Sequence, residues 1–146
     1  MKLTVKEFSQ LTPDEVYEIL RSRAEVFVAE QKIVCADPDG VDRQALHCFY
    51  TEGDRVVAYL RAYVCPEHPS AVKIGRVLTL VRGRGYGRRI MEESLLPISR
   101  HFGCERFVLN AQKHAEGFYE KVGFTTVSGE FLEEGVVHVT MERELI

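Results

Sequence analysis

Three alternating glycines separate a strand-like run from a helix-like run in this 146-residue chain, as Arg82-Gly83-Arg84-Gly85-Tyr86-Gly87. Before them, Val72 to Leu80 is apolar enough for a strand. After them, Met91, Leu95, Ile98 and Phe102 mark one face of a helix running from Arg88 to Phe102. A direct strand-to-helix junction of this kind calls for an α/β fold with a crossover at that point. Glycines leave the backbone bare, so a ligand can approach the amide N–H groups closely. The helix that follows points its unpaired N–H groups and positive dipole end at the same place. Arg82, Arg84, Arg88 and Arg89 add positive charge there. Such a site suits a diphosphate.

The remaining elements follow from local signals. Thr12-Pro13-Asp14-Glu15 predicts a helix start, with Thr12 as cap, Pro13 in the first turn and Glu15 completing a capping box. Val16, Ile19, Leu20, Arg23, Val26 and Phe27 continue a helical stripe, as one helix or a broken pair, to about Glu30. Ile33 to Gln44, with Pro38 and Gly40, reads as a loop. Leu46 to Thr51 and Arg55 to Cys65 form a strand pair across Glu52-Gly53-Asp54. Pro97 is expected to kink the central helix. Glu105 to Asn110 is a short strand, expected parallel to Val72–Leu80. Ala115, Phe118, Tyr119 and Val122 mark a further helix closed by Gly123. Phe124 to Leu132 and Val136 to Glu144 make a last hairpin across Glu133-Glu134-Gly135. The order predicts an α/β domain over residues 1–146, its mixed, mostly antiparallel sheet flanked by helices.

Composition narrows the partners. A net charge of -3 argues against nonspecific binding to nucleic acid or to an anionic membrane. No leader segment opens the chain and no apolar run reaches membrane-spanning length. Cys35, Cys48, Cys65 and Cys104 form no C-x-x-C pair and read as reduced thiols in a cytoplasmic protein. No histidine or cysteine spacing marks a metal site, so none is expected.

Several known loops compete for the glycine string. No Lys-Ser or Lys-Thr pair follows it, as a P-loop would need. Its spacing is Gly-x-Gly-x-Gly, not the dinucleotide-binding fingerprint. It looks like an Arg/Gly-rich nucleic-acid segment, but it is short and sits between ordered elements of an acidic chain.

The ordered set of motifs resembles the GCN5-related N-acetyltransferase (GNAT) family. Its cofactor loop, Q/R-x-x-G-x-G/A, matches Arg82 to Gly87 at the same junction. A finer match is to the ElaA-like subgroup, through Arg23 to Gln31, Asp39-Gly40-Val41-Asp42, Ile74-Gly75-Arg76-Val77, Ala111-Gln112 with Phe118-Tyr119, and Gly135-Val136-Val137-His138 with Met141. The link from strand to Arg82 is about two residues shorter here than in relatives.

The resemblance implies an acyl-CoA acyltransferase fold and transfer of an acetyl group from acetyl-CoA to a primary amine of a small molecule or peptide. It places the pyrophosphate over Gly83, Arg84, Gly85, Tyr86, Gly87 and Arg88, beside Arg82. It lays the pantetheine arm along Leu78, Thr79 and Leu80, with Asn110 on the neighbouring strand. Tyr119 matches the family tyrosine that protonates the leaving thiolate, although on its sequence neighbours alone it reads as a core residue. Glu30, His47 and His138 are the candidate bases, each of them also a plausible structural residue. A noncatalytic acyl-CoA-binding module on the same fold is the competing reading. An acetyltransferase of this size can also be a homodimer.

Overall fold

One twisted eight-stranded sheet organises the computed structural model, which describes residues 1–146. The chain runs through β1 (Thr4–Glu7), α1 (Pro13–Arg23), a π-helical continuation (Ala24–Glu30), β2 (Leu46–Glu52), β3 (Arg55–Val64) and β4 (Val72–Thr79). It continues through α2 (Tyr86–Phe102), β5 (Arg106–Gln112), α3 (Glu116–Lys121), β6 (Thr125–Thr126), β7 (Phe131–Glu133) and β8 (Val136–Glu144). The strand order is β1-β2-β3-β4-β5-β8-β6, and β7 also pairs with β8. Every pairing is antiparallel except β4 with β5, the crossover that α2 makes possible.

Strand periodicity sorts side chains onto two faces. Leu46, Cys48 and Tyr50 of β2 join Ile90, Met91, Leu95 and Ile98 of α2 in the main core. Phe49 points the other way and packs with Ile19, Val26, Tyr59 and Leu78 beneath α1. The first helix starts as its sequence predicts. Thr12 Oγ1 accepts from the Glu15 amide at 3.1 Å, and Glu15 Oε1 accepts from the Thr12 amide at 2.9 Å. The stripe beyond Arg23 changes to π-helical winding through Glu30. Helix α2 begins at Tyr86, two residues earlier than predicted, and runs on past Pro97.

Two other details differ from the sequence reading. The four-residue β1 was not anticipated, being short and mostly polar at the sheet edge. The strand expected over Phe124 to Leu132 is split into β6 and β7. Between them Ser128 Oγ, not a backbone carbonyl, accepts the Thr140 amide at 2.8 Å.

The feature that makes room for a ligand is a splay between β4 and β5. The two strands pair only at Val72 with Phe107 and Lys73 with Val108. On its other edge β4 carries a bulge, where Arg76 and Val77 lie opposite Leu60 alone. Arg76 takes a φ of 52°, in the left-handed region. A bulge bends and twists its strand, and here β4 turns away from β5 over its second half. Its edge from Ile74 onward is left without a strand partner on the β5 side.

Candidate active site

A cavity of about 480 Å³ fills the splay. Ile74 to Val77 form one wall, Leu109, Asn110 and Gln112 the other. The loop from Gln31 to Asp39 closes one side. His114, Tyr119 and the β7–β8 turn close the opposite side.

The glycine loop lies at the end of β4. Gly83 and Gly85 have φ of 77° and 70°, a conformation that other residues rarely adopt. From Val81 to Arg88 no backbone amide donates a hydrogen bond within the chain. The pattern resumes at Arg89, whose amide reaches the Gly85 carbonyl at 3.0 Å. Gly87 is needed for a different reason. A Cβ there would lie 3.3 Å from the Phe118 ring and 3.5 Å from a Thr79 methyl. This contact seats α3, and therefore Tyr119, against the start of α2. The side chains of Arg82, Arg84 and Arg88 are 84%, 61% and 65% exposed, and each pairs with a carboxylate, Glu30, Glu52 and Glu92 respectively. Exposed pairs of this kind contribute about 0–1 kcal/mol, so an incoming anion can replace them. Tyr86 contributes its amide; its ring is buried and its hydroxyl donates to Glu52 at 3.0 Å.

Acid-base groups line the cavity itself. Tyr119 packs edge-on against Phe118 and Phe124, with centroids 5.0 and 6.1 Å away. Burial pushes its pKa upward, so the phenol is protonated at neutral pH. His138 also lines the cavity, and its Nδ1 lies 2.7 Å from the Val136 carbonyl. A carbonyl only accepts, so Nδ1 carries a proton, and in the neutral tautomer this leaves the lone pair on Nε2. Phe131 stacks on the ring at 6.1 Å. Asn110 donates from Nδ2 to Glu133 at 3.1 Å and accepts from Thr140 Oγ1 at 3.0 Å.

The family that matches residues 3–145 is described as acetyltransferase (GNAT) domain. The chain belongs to the GNAT family. It is similar to ElaA of Escherichia coli, 33% identical over 94% of this chain and 93% of that protein. The crystal structure of ElaA superposes with a TM-score of 0.89, covering 98% of this chain and 99% of the other. An acyl-CoA N-acyltransferase from Pseudomonas aeruginosa gives the same TM-score at 34% identity, with coverage of 98% and 99%. A UPF0039 protein of Schizosaccharomyces pombe is 36% identical over 99% of this chain and 98% of its own length.

Of the residues singled out by the GNAT resemblance, Tyr119, His138 and Asn110 meet at the cavity. Leu78, Thr79 and Leu80 continue β4 toward the loop, where the Leu80 amide still bonds to the Val57 carbonyl at 2.8 Å. His47 is not brought there. It is buried between the Tyr59 hydroxyl at 2.7 Å and the Asp42 carbonyl at 2.9 Å, lining a separate pocket with Phe8 and Arg23. Burial lowers its pKa. Glu30 stands outside the cavity lining, joined to Arg82.

The other subgroup motifs converge on a closed ring of charge. Arg23 bridges Asp37 at 3.0 Å and Asp42 at 2.6 Å; Arg61 bridges Asp42 at 2.9 Å and Asp39 at 2.6 Å. Arg76 bridges Asp39 at 3.4 Å and Asp37 at 3.0 Å. Each arginine thus holds two aspartates, and the loop that covers the cavity is tied to α1, β3 and β4. Sequence reasoning missed Cys35, Lys73, His114 and Glu133 as cavity residues. Glu133 had registered only as part of a turn, and His114 offered only its place just past a strand end. No set of three or more His, Cys, Asp or Glu side chains converges as metal ligands, and no helix is long and apolar enough to cross a membrane.

Proposed function

We propose that this GNAT protein transfers the acetyl group of acetyl-CoA to a primary amine of a small molecule or peptide by direct attack. One observation carries the reading: the undonated amides from Val81 to Arg88 lie at the end of β4, the strand whose unpaired edge walls a cavity that also holds a protonated tyrosine. The fit to the coenzyme rests on the donor set. Amides of Gly83 to Arg88 and the α2 dipole match a pyrophosphate without requiring a metal. Arg82, Arg84 and Arg88 would add charge-assisted hydrogen bonds. The unpaired β4 edge would hold the amide-bearing arm as an added strand.

When bound, acetyl-CoA supplies the acetyl group activated as a thioester. Tyr119 holds a proton at its phenolic oxygen, ready to donate to a leaving thiolate. His138 offers Nε2 as the acceptor for the proton of the incoming amine. The Asp37–Asp39 loop, anchored by the arginine ring, forms one wall of the cavity. The four free thiols fit a reducing, cytoplasmic setting.

The test is thermal. Acetyl-CoA at ~100 times its Kd should stabilise the protein by about 2.7 kcal/mol. Gly85→Val places a β-branched residue at φ 70° and should abolish that shift while the apo protein still folds. An equal shift in wild type and variant means that the coenzyme does not use this loop.

A further inference from the structure

The cavity's carboxylates are not equivalent. Asp37 and Asp39 are neutralised by the arginine ring. Glu133, the last residue of β7, and Glu134, in the turn to β8, have no lysine or arginine partner. Glu133 is the more tightly held of the two. Asn110 fixes its Oε1, and Thr140 in turn orients Asn110. Its Oε2 faces His138 Nε2 across 3.6 Å. That gap is too long for a hydrogen bond between them. The His138 side chain is only 8% exposed, its Nδ1 is committed to Val136, and its Nε2 has no hydrogen-bond partner. Nε2 therefore opens onto the cavity beside the Glu133 carboxylate, close enough for one donor to reach both.

We infer that Glu133 and His138 together form the acceptor-docking site, and that its ligand is a primary alkylammonium group bridging Glu133 Oε2 and His138 Nε2. This deepens the acetyl-transfer reading and rests on it for the fate of the amine. The ammonium donates one N–H to each partner. Its proton then passes to His138 Nε2, leaving a neutral amine with a free lone pair and an imidazolium. Glu133 stays ionised throughout, so its charge is matched first by the ammonium and then by the imidazolium. Glu133 therefore selects cationic amines over neutral alcohols of the same shape. Besides the arginine ring, the other ionisable groups on this cavity are Glu134, His114 and Tyr119 on the same side as Glu133, Lys73 on β4, and Cys35 and Tyr63. Lys73 makes no ion pair, and the site favours acceptors that keep their own cations on the Glu133 side.

The experiment uses the full chain without coenzyme, so its outcome is separate from the acetyl-CoA thermal shift. Histidine-labelled protein is titrated with n-butylammonium and, separately, with n-butanol, following the His138 ring nitrogens by NMR. The free protein should show a protonated Nδ1 and a bare Nε2. Butylammonium should move the Nε2 resonance, and butanol at equal concentration should not. In Glu133→Gln, which keeps an acceptor for Asn110, butylammonium should bind at least roughly tenfold more weakly, the loss expected for a charge-assisted hydrogen bond. Glu134→Gln should weaken it less than about threefold, as for a partly screened neighbour. Butanol matching butylammonium, or no response at His138, overturns the proposal even if Glu133→Gln does not fold. Equal losses in the two glutamine variants overturn the assignment to Glu133.

Discussion

Replacing Asp42 by asparagine removes a charge that two buried guanidiniums share. Its Oδ1 accepts from Arg23 Nη1 at 2.6 Å and from Arg61 Nη1 at 2.9 Å. Those arginine side chains are 0% and 2% exposed, so neither can turn to water instead. The native ring balances three positive charges with three negative ones; the variant leaves one positive charge in excess. Breaking a buried pair and leaving one partner behind costs about 3–5 kcal/mol. Asp37 and Asp39 still hold the two arginines, so the lower end, about 3 kcal/mol, is expected. In a chain of this length that lowers Tm by roughly 6–12 °C. The loss should also depend on pH. Burial alone would raise the Asp39 carboxyl, but the hydrogen bonds from Arg61 and the Val41 amide, with the charges of Arg61 and Arg76, together outweigh it and bring the pKa from 3.8 down to about 2. Asp42 is depressed in the same way, against burial, chiefly by Arg23. A depressed carboxylate stabilises fully above its unfolded pKa, near 3.8, and loses that contribution as pH falls through the folded value. Wild-type stability should therefore drop as the pH falls from about 4 toward 2, and Asp42→Asn should flatten that slope. Urea unfolding followed by far-UV circular dichroism, across that pH range and at pH 7, measures both effects. A cost under about 1 kcal/mol at pH 7, or identical acid slopes, would refute the cooperative ring.

Two further outcomes separate binding from chemistry. Tyr119→Phe should keep the acetyl-CoA thermal shift and lower CoA thiol release with an amine acceptor by about 10²–10⁴-fold, a range typical of a lost general acid. Full activity in that variant would remove Tyr119 from the mechanism. Arg82→Ala breaks only an exposed pair with Glu30, so its stability should stay within about 0.5 kcal/mol of wild type. Calorimetric titration should nevertheless show weaker acetyl-CoA binding, and unchanged affinity would place the phosphates elsewhere.

Local chemistry was legible wherever one stretch of chain decides the outcome. The capping box at Thr12 and Glu15, the glycine turn before α2 and the closing glycine at 123, with φ of 92°, follow from residues within a few positions of one another. So do the strand periods and the parallel crossover, because backbone hydrogen bonding and side-chain alternation leave few choices there. The motifs also pointed to the family. They did not show what Arg23, Asp39, Asp42 and Arg76 do, because their partners lie 14 to 39 positions away, as with Arg23 to Asp37 and Arg76 to Asp37. Nor could His47 be told from His138. Both lie in strands, but packing satisfies both nitrogens of one and leaves Nε2 of the other facing a cavity. That cavity exists because a bulge turns β4 from β5, and strand separation is set by packing across the whole sheet. The sequence determined the loop's conformation and its charge; the fold alone decided which acid, which imidazole and which carboxylate share one space.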